Sequence, residues 1–88
     1  MSLEQLKNKL DNLGYYVRTF ENDKDEIQVC QDFGETNIVG LRNVKCFCSV
    51  KIVNDECVVY YNVKSIVENE VFHTVSEVTR FIKKQFPS

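Results

Sequence analysis

At 88 residues, 43% hydrophobic and 27% charged, with a formal net charge of −2, the chain has the make-up of a small globular domain. It is too rich in apolar residues for a disordered segment, and no apolar run approaches the ~20 residues of a transmembrane helix. The mild acidity argues against a general polyanion binder and leaves room only for local basic patches.

The first predicted element is a helix. Leu3, Leu6, Leu10 and Leu13 form one narrow apolar stripe, Ser2 and Gln5 read as a capping box, and Gly14 stands where a left-handed C′ residue is wanted. Residues 15–20 then read as a strand and residues 21–25 as a charged loop. A second strand follows, with Ile27, Val29 and Phe33 alternating with Gln28, Cys30 and Asp32. Pairing Val17 with Val29 sets Thr19 opposite Ile27, Tyr15 opposite Gln31, and gathers Val17, Ile27 and Val29 on one face. Gly34-Glu35 reads as a turn into a short strand over residues 37–42, with Gly40 marking a bulge or a close backbone approach.

The clearest β signal surrounds Asn54-Asp55. A two-residue turn there pairs Ile52 with Cys57, Val50 with Val59, Cys48 with Tyr61 and Cys46 with Val63, an apolar face throughout. The opposite face then carries Lys51 with Val58, Ser49 with Tyr60, Phe47 with Asn62 and Lys45 with Lys64. A one-residue slip would exchange the two faces, so the pattern itself argues for this register. Beyond it, Glu68-Asn69-Glu70 reads as an acidic turn before a brief strand, Val71-Phe72-His73. Thr74 and Glu77 form a second capping box, and Val75, Val78, Phe81, Ile82 and Phe86 give one apolar helical face, with Lys83 and Lys84 at its cationic end. With no linker or repeat, residues 1–88 read as a single α+β domain. Its expected form is an antiparallel sheet of four to six strands, with an N-terminal and a C-terminal helix packed on one face.

Four cysteines, Cys30, Cys46, Cys48 and Cys57, are too few for a disulfide scaffold, and residues 1–11 lack the continuous apolar stretch of a signal peptide. They read as reduced, buried thiols of a cytoplasmic protein. Zinc is disfavoured by geometry. Cys46 and Cys48 on one strand face stand roughly 6.5–7 Å apart and Cys57 on the order of 13 Å further along, whereas zinc needs every sulfur at ~2.3 Å. His73 is the sole histidine and has neither a nucleophile elbow nor a phosphate loop beside it. No catalytic residue, metal ligand or cofactor is assigned, and an enzyme is the least favoured class.

What remains is binding. Phe47, Val58 and Tyr60, rimmed by Lys45, Lys51 and Lys64, fall together on the face away from the expected helices. An exposed apolar patch of that kind suits a protein partner or a second copy of the chain. Rings interleaved with lysines on an open sheet also suit single-stranded nucleic acid, the alternative reading, although the net charge weighs against it.

Residues of AT-rich codons (Asn, Lys, Ile, Phe, Tyr) far outnumber Gly, Ala, Arg and Pro. The opening pattern Leu3-x2-Leu6-x3-Leu10-x2-Leu13-Gly14-Tyr15-x-Val17 covers about the first fifth of the chain. With that composition it resembles small phage-encoded proteins of low-GC Gram-positive bacteria, among them type II anti-CRISPR inhibitors that open with a short helix running into a Tyr-x-Val strand. The resemblance implies a non-enzymatic accessory or anti-defence protein of a phage or mobile element, acting by binding another protein. It carries over no functional residues.

Overall fold

The computed structural model describes residues 2–35 and 42–87. The fold is α+β. Helix α1 (Leu3–Asn12) is followed by strands β1 (Tyr16–Thr19), β2 (Glu26–Glu35), β3 (Arg42–Val53), β4 (Glu56–Val63) and β5 (Ile66–Phe72), and the chain closes on α2 (Val75–Gln85). The strands form an antiparallel meander in chain order, with β1 and β5 at the edges.

Both helices begin on a side-chain cap. Ser2 Oγ accepts from the Glu4 N–H at 3.2 Å. Thr74 Oγ1 accepts from the Glu77 N–H at 3.1 Å and donates to the Glu77 carboxylate, also at 3.1 Å, so the two residues of the expected box are paired through their side chains. Gly14, at φ +97°, ends α1 in the left-handed region that a Cβ would disfavour.

Both helices lie on one face of the sheet. Leu6 and Leu10 of α1 and Val78 and Ile82 of α2 are fully buried against Val17, Ile27, Val29, Cys48, Val50, Cys57 and Val59. Around this cluster sits an aromatic rim: Tyr61 and Phe72 lie 5.5 and 5.2 Å from Phe81 between ring centroids. Tyr15 anchors α2 from below, its hydroxyl donating to the carbonyl of Phe86 and, at 3.5 Å, to that of Ile82.

The Asn54-Asp55 hairpin forms in the expected register, from Val53 opposite Glu56 to Cys48 opposite Tyr61. Asn54 (φ 51°) and Asp55 (φ 63°) both adopt the left-handed conformation of a two-residue turn whose twist matches its strands. The β1–β2 pairings Val17 with Val29 and Thr19 with Ile27 also form, whereas Tyr15 precedes the strand and is not in the ladder.

Three expectations are corrected. First, β2 runs straight through Gly34-Glu35 instead of turning there, and Glu35 pairs with Arg42 across the hairpin. Gly34 adopts φ +92° inside the strand, where the register shifts between Asp32 and Glu35. The strand expected to start at Asn37, and Gly40 within it, lie outside the described residues. Second, the acidic turn at Glu68-Asn69-Glu70 is the middle of β5. The reversal occurs earlier, at Lys64 (φ 50°) and Ser65 (φ 69°), a second two-residue turn that uses neither Gly nor Asn. Lys64 is therefore a turn residue and does not face Lys45.

The third correction concerns parity. Val29 pairs with Cys48 but the next residue, Cys30, pairs with Cys46, so β3 carries one extra residue, Phe47, at a bulge. A bulge resets the alternation of every residue beyond it. Phe47 turns toward the helices, where its ring stacks on Phe86, and Cys46 points to the other face. The β3–β4 ladder stops at Cys48 opposite Tyr61, so the expected pairing of Cys46 with Val63 does not form.

Candidate functional site on the uncovered sheet face

With both helices on one side, the other face of the sheet is bare among the described residues. Its side chains follow from the register. One row across the strands reads Glu26, Lys51, Val58, Val71; the next reads Arg18, Gln28, Ser49, Tyr60, Asn69. Tyr16 and Cys30 share this face beside Cys46. Val58 and Tyr60 are half-buried by their neighbours, whereas Val71 and Val67 remain 49% and 65% exposed on the edge strand.

Three of the six residues assigned from sequence therefore meet on this face: Lys51, Val58 and Tyr60. Lys51 is tied to Glu26 across the strands at 3.7 Å, an exposed ion pair of small energetic value that nonetheless lowers the net charge of the patch. The other three lie elsewhere. Phe47 is in the core rim through its bulge, Lys45 sits with its ammonium 6.0 Å from the centroid of the Phe47 ring, and Lys64 is in the β4–β5 turn. Val71 on β5, beside Val58, joins the patch that Phe47 leaves. Sequence reading missed it because β5 was divided into a turn and a shorter strand.

The thiols divide between the two faces. Cys48 and Cys57 are buried beneath the helices, and burial pushes their pKa values up to about 12 and about 11. Cys30 and Cys46 lie on the uncovered face, in contact with each other at 2.7 Å between sulfurs, Cys30 buried and Cys46 exposed. The expectation of a uniformly buried set fails for Cys46, again because of the bulge. His73 is exposed and faces the Glu56 carboxylate at 3.5 Å. Among the described residues no three His, Cys, Asp or Glu side chains are grouped to hold a metal ion.

A concavity of about 400 Å³ opens beside the bulge between Lys45, Cys46, Phe47, Asn62, Gln85 and Phe86. Among the described residues no helix is long and apolar enough to cross a membrane. Compared with protein-family models, curated proteins and solved structures, the chain matches none.

Proposed function

We propose that the chain is a small non-catalytic interaction module that binds a partner protein through the uncovered sheet face, with Val58, Tyr60 and Val71 at the centre of the contact. The observation that carries this reading is the row Lys51, Val58, Val71 with Tyr60 beside it, in which Val58, Val71 and the Tyr60 ring are left uncovered while both helices pack on the opposite face. Tyrosine at the centre of such a patch is a favoured interface anchor, and a rim of ionic and amide groups is the usual surround. The AT-rich composition and the N-terminal resemblance support placing the module among accessory or anti-defence proteins of a phage or mobile element that act in the cytoplasm.

The nucleic-acid alternative rests on rings interleaved with cations on this face. Phe47 and Lys45 belong to the helix side, Lys64 is in a turn and Lys51 is paired, which leaves Tyr16 and Tyr60 as its rings and Arg18 as its cation and makes it the weaker reading.

The test is capture of a partner from source-cell extract by the wild-type chain and by a Val58→Lys/Tyr60→Ala variant whose far-UV circular dichroism is unchanged. Loss of the captured protein, corresponding to a weakening of about 2 kcal/mol or ~30-fold, supports the reading. Undiminished capture by the folded variant overturns it. So does salt-steep binding to single-stranded oligonucleotides that the variant loses. Sedimentation of the free wild-type chain separates the remaining occupant, since a dimer dissolved by the same two substitutions makes the face a self-contact.

A further inference from the structure

We propose that Cys30 and Cys46 form a dithiol that a small-molecule disulfide oxidises to a reversible cross-strand disulfide between β2 and β3. Three structural observations carry this. The two residues are direct partners across an antiparallel pair, an arrangement whose Cα separation of roughly 4.5–5.5 Å lies inside the range a disulfide spans. Their sulfurs are already in contact at 2.7 Å, so no strand must move to bring them together. Their exposure is unequal: Cys46 is open to solvent in the wall of the concavity beside Lys45, Asn62 and Gln85, and Cys30 is buried behind it. The β3 bulge creates this pair. Without the extra residue at Phe47, Cys46 would project to the helix side and Cys30 would have no thiol beside it.

The unequal exposure orders the chemistry. The Cys46 thiolate attacks one sulfur of the small disulfide, forming a mixed disulfide and releasing the first small thiolate, which takes up the proton that Cys46 gave to solvent. The Cys30 thiol then loses its proton and attacks Cys46 Sγ. The Cys30–Cys46 bond forms, the bond between Cys46 and the small molecule breaks, and the second small thiolate leaves to be protonated. Two protein thiols are oxidised by two electrons, and one disulfide is reduced to two thiols.

Cys30 suits the second role. Burial first, and then the hydrogen bond and charge of Cys46, push its pKa up to about 12, while Arg18 on β1 pulls the other way. Capping Cys46 as a mixed disulfide removes the contributions of the Cys46 thiol and leaves the larger effect of burial in place. Cys30, buried behind Cys46, is thereby shielded from bulk oxidant, and the sulfur it can reach is the one already in contact with it. A bond made this way in a reducing compartment is a transient mark and not a structural staple.

The experiment incubates the folded full chain with oxidised glutathione, quenches free thiols by alkylation, and maps the products by mass spectrometry. The expected product has lost two hydrogen atoms and yields a peptide pair joined through Cys30 and Cys46, formed faster in buffer than in denaturing urea and reversed by reduced glutathione. Cys30→Ser should halt the reaction at a stable glutathione adduct on Cys46, while Cys46→Ser should leave Cys30 unmodified. A persistent adduct on wild-type Cys46, a linkage through Cys48 or Cys57, or oxidation no faster in the folded chain than in urea overturns the proposal. Circular dichroism of each serine variant establishes that the sheet is intact, and if either fails to fold, the wild-type comparison between buffer and urea still decides.

Discussion

Phe47 stacks on Phe86 with ring centroids 5.4 Å apart and planes at 12°, so a side chain from the middle of β3 closes the core under the end of α2. Tyr15 meets the same ring edge-on at 6.3 Å. Aromatic pairs of these geometries add to the burial energy of the ring. Phe47→Ala should therefore destabilise the fold by about 2 kcal/mol, below the full cost of a completely buried phenylalanine because the ring is only half-buried. Urea denaturation measures the loss. Partner capture by the fraction that remains folded should be unchanged, which separates Phe47 from Val58 and Tyr60. A stable Phe47→Ala variant that fails to bind would return Phe47 to the contact surface.

Tyr15 holds the same corner through its hydroxyl, which reaches the carbonyls of Ile82 and Phe86 at the end of α2. The Phe86 carbonyl lies at the helix end, where backbone acceptors run out of intrahelical donors, whereas the Ile82 carbonyl also accepts from the Phe86 N–H at 2.8 Å. Tyr15→Phe keeps the ring and removes the donor. It should cost about 1 kcal/mol, with hydrogen exchange quickening in the last turn of α2 and staying unchanged in α1. Uniform acceleration through both helices would assign the effect to general destabilisation.

The two corners show what the sequence made legible. Both helix caps, the Asn54-Asp55 turn and the pairing of Val17 with Val29 depend on residues within a few positions or on simple alternation, and all were readable. The bulge at Phe47 was not. It arises from how β3 meets β2, a pairing made across the segment 36–41, and no local residue announces it. The error it causes is confined: residues from Cys48 to Val53 keep their expected faces, whereas Lys45, Cys46 and Phe47 change theirs. Half of the assigned contact residues moved for that reason or because Lys64 and Ser65 make a turn without the residues that usually advertise one. Val58 and Tyr60 keep their expected face because they pair with Lys51 and Ser49, on the unbulged side.

Cys48 and Cys57 set an alkaline limit on stability. Burial raises both thiols from an ordinary value of 9.0, to about 12 and about 11 respectively. Above the ordinary value the unfolded chain has released these protons while the folded chain retains them, so the unfolded state binds fewer protons and stability falls as pH rises. The contribution is fully present below about pH 9 and is lost progressively as pH climbs through the folded values. A Cys48→Ala/Cys57→Ala variant should start about 1–2 kcal/mol less stable near neutrality and show a shallower decline. Urea titrations under reducing conditions, at pH steps from neutrality upward, give both curves. A variant whose decline parallels the wild type would place the alkaline sensitivity in other groups.

Among the described residues strand β5 has no partner beyond β4, and its sequence is close to palindromic about Asn69: Ile66, Val67 and Glu68 mirror Phe72, Val71 and Glu70. Two copies aligned antiparallel along this edge would set Val67 against Val71 on the uncovered face, a favourable cross-strand pair. On the other face they would set Glu68 against Glu70 twice, and like charges directly opposite destabilise a pair. Charged side chains on an edge strand are a common guard against such pairing, and here they oppose an otherwise well-matched edge. Glu68→Gln/Glu70→Gln removes the repulsion and keeps the shape. The variant should associate where the wild type does not, with a sedimentation-average mass that climbs with concentration and falls back when Val67→Lys is added. Equal masses for wild type and variant across the concentration range would show that Glu68 and Glu70 do not guard this edge.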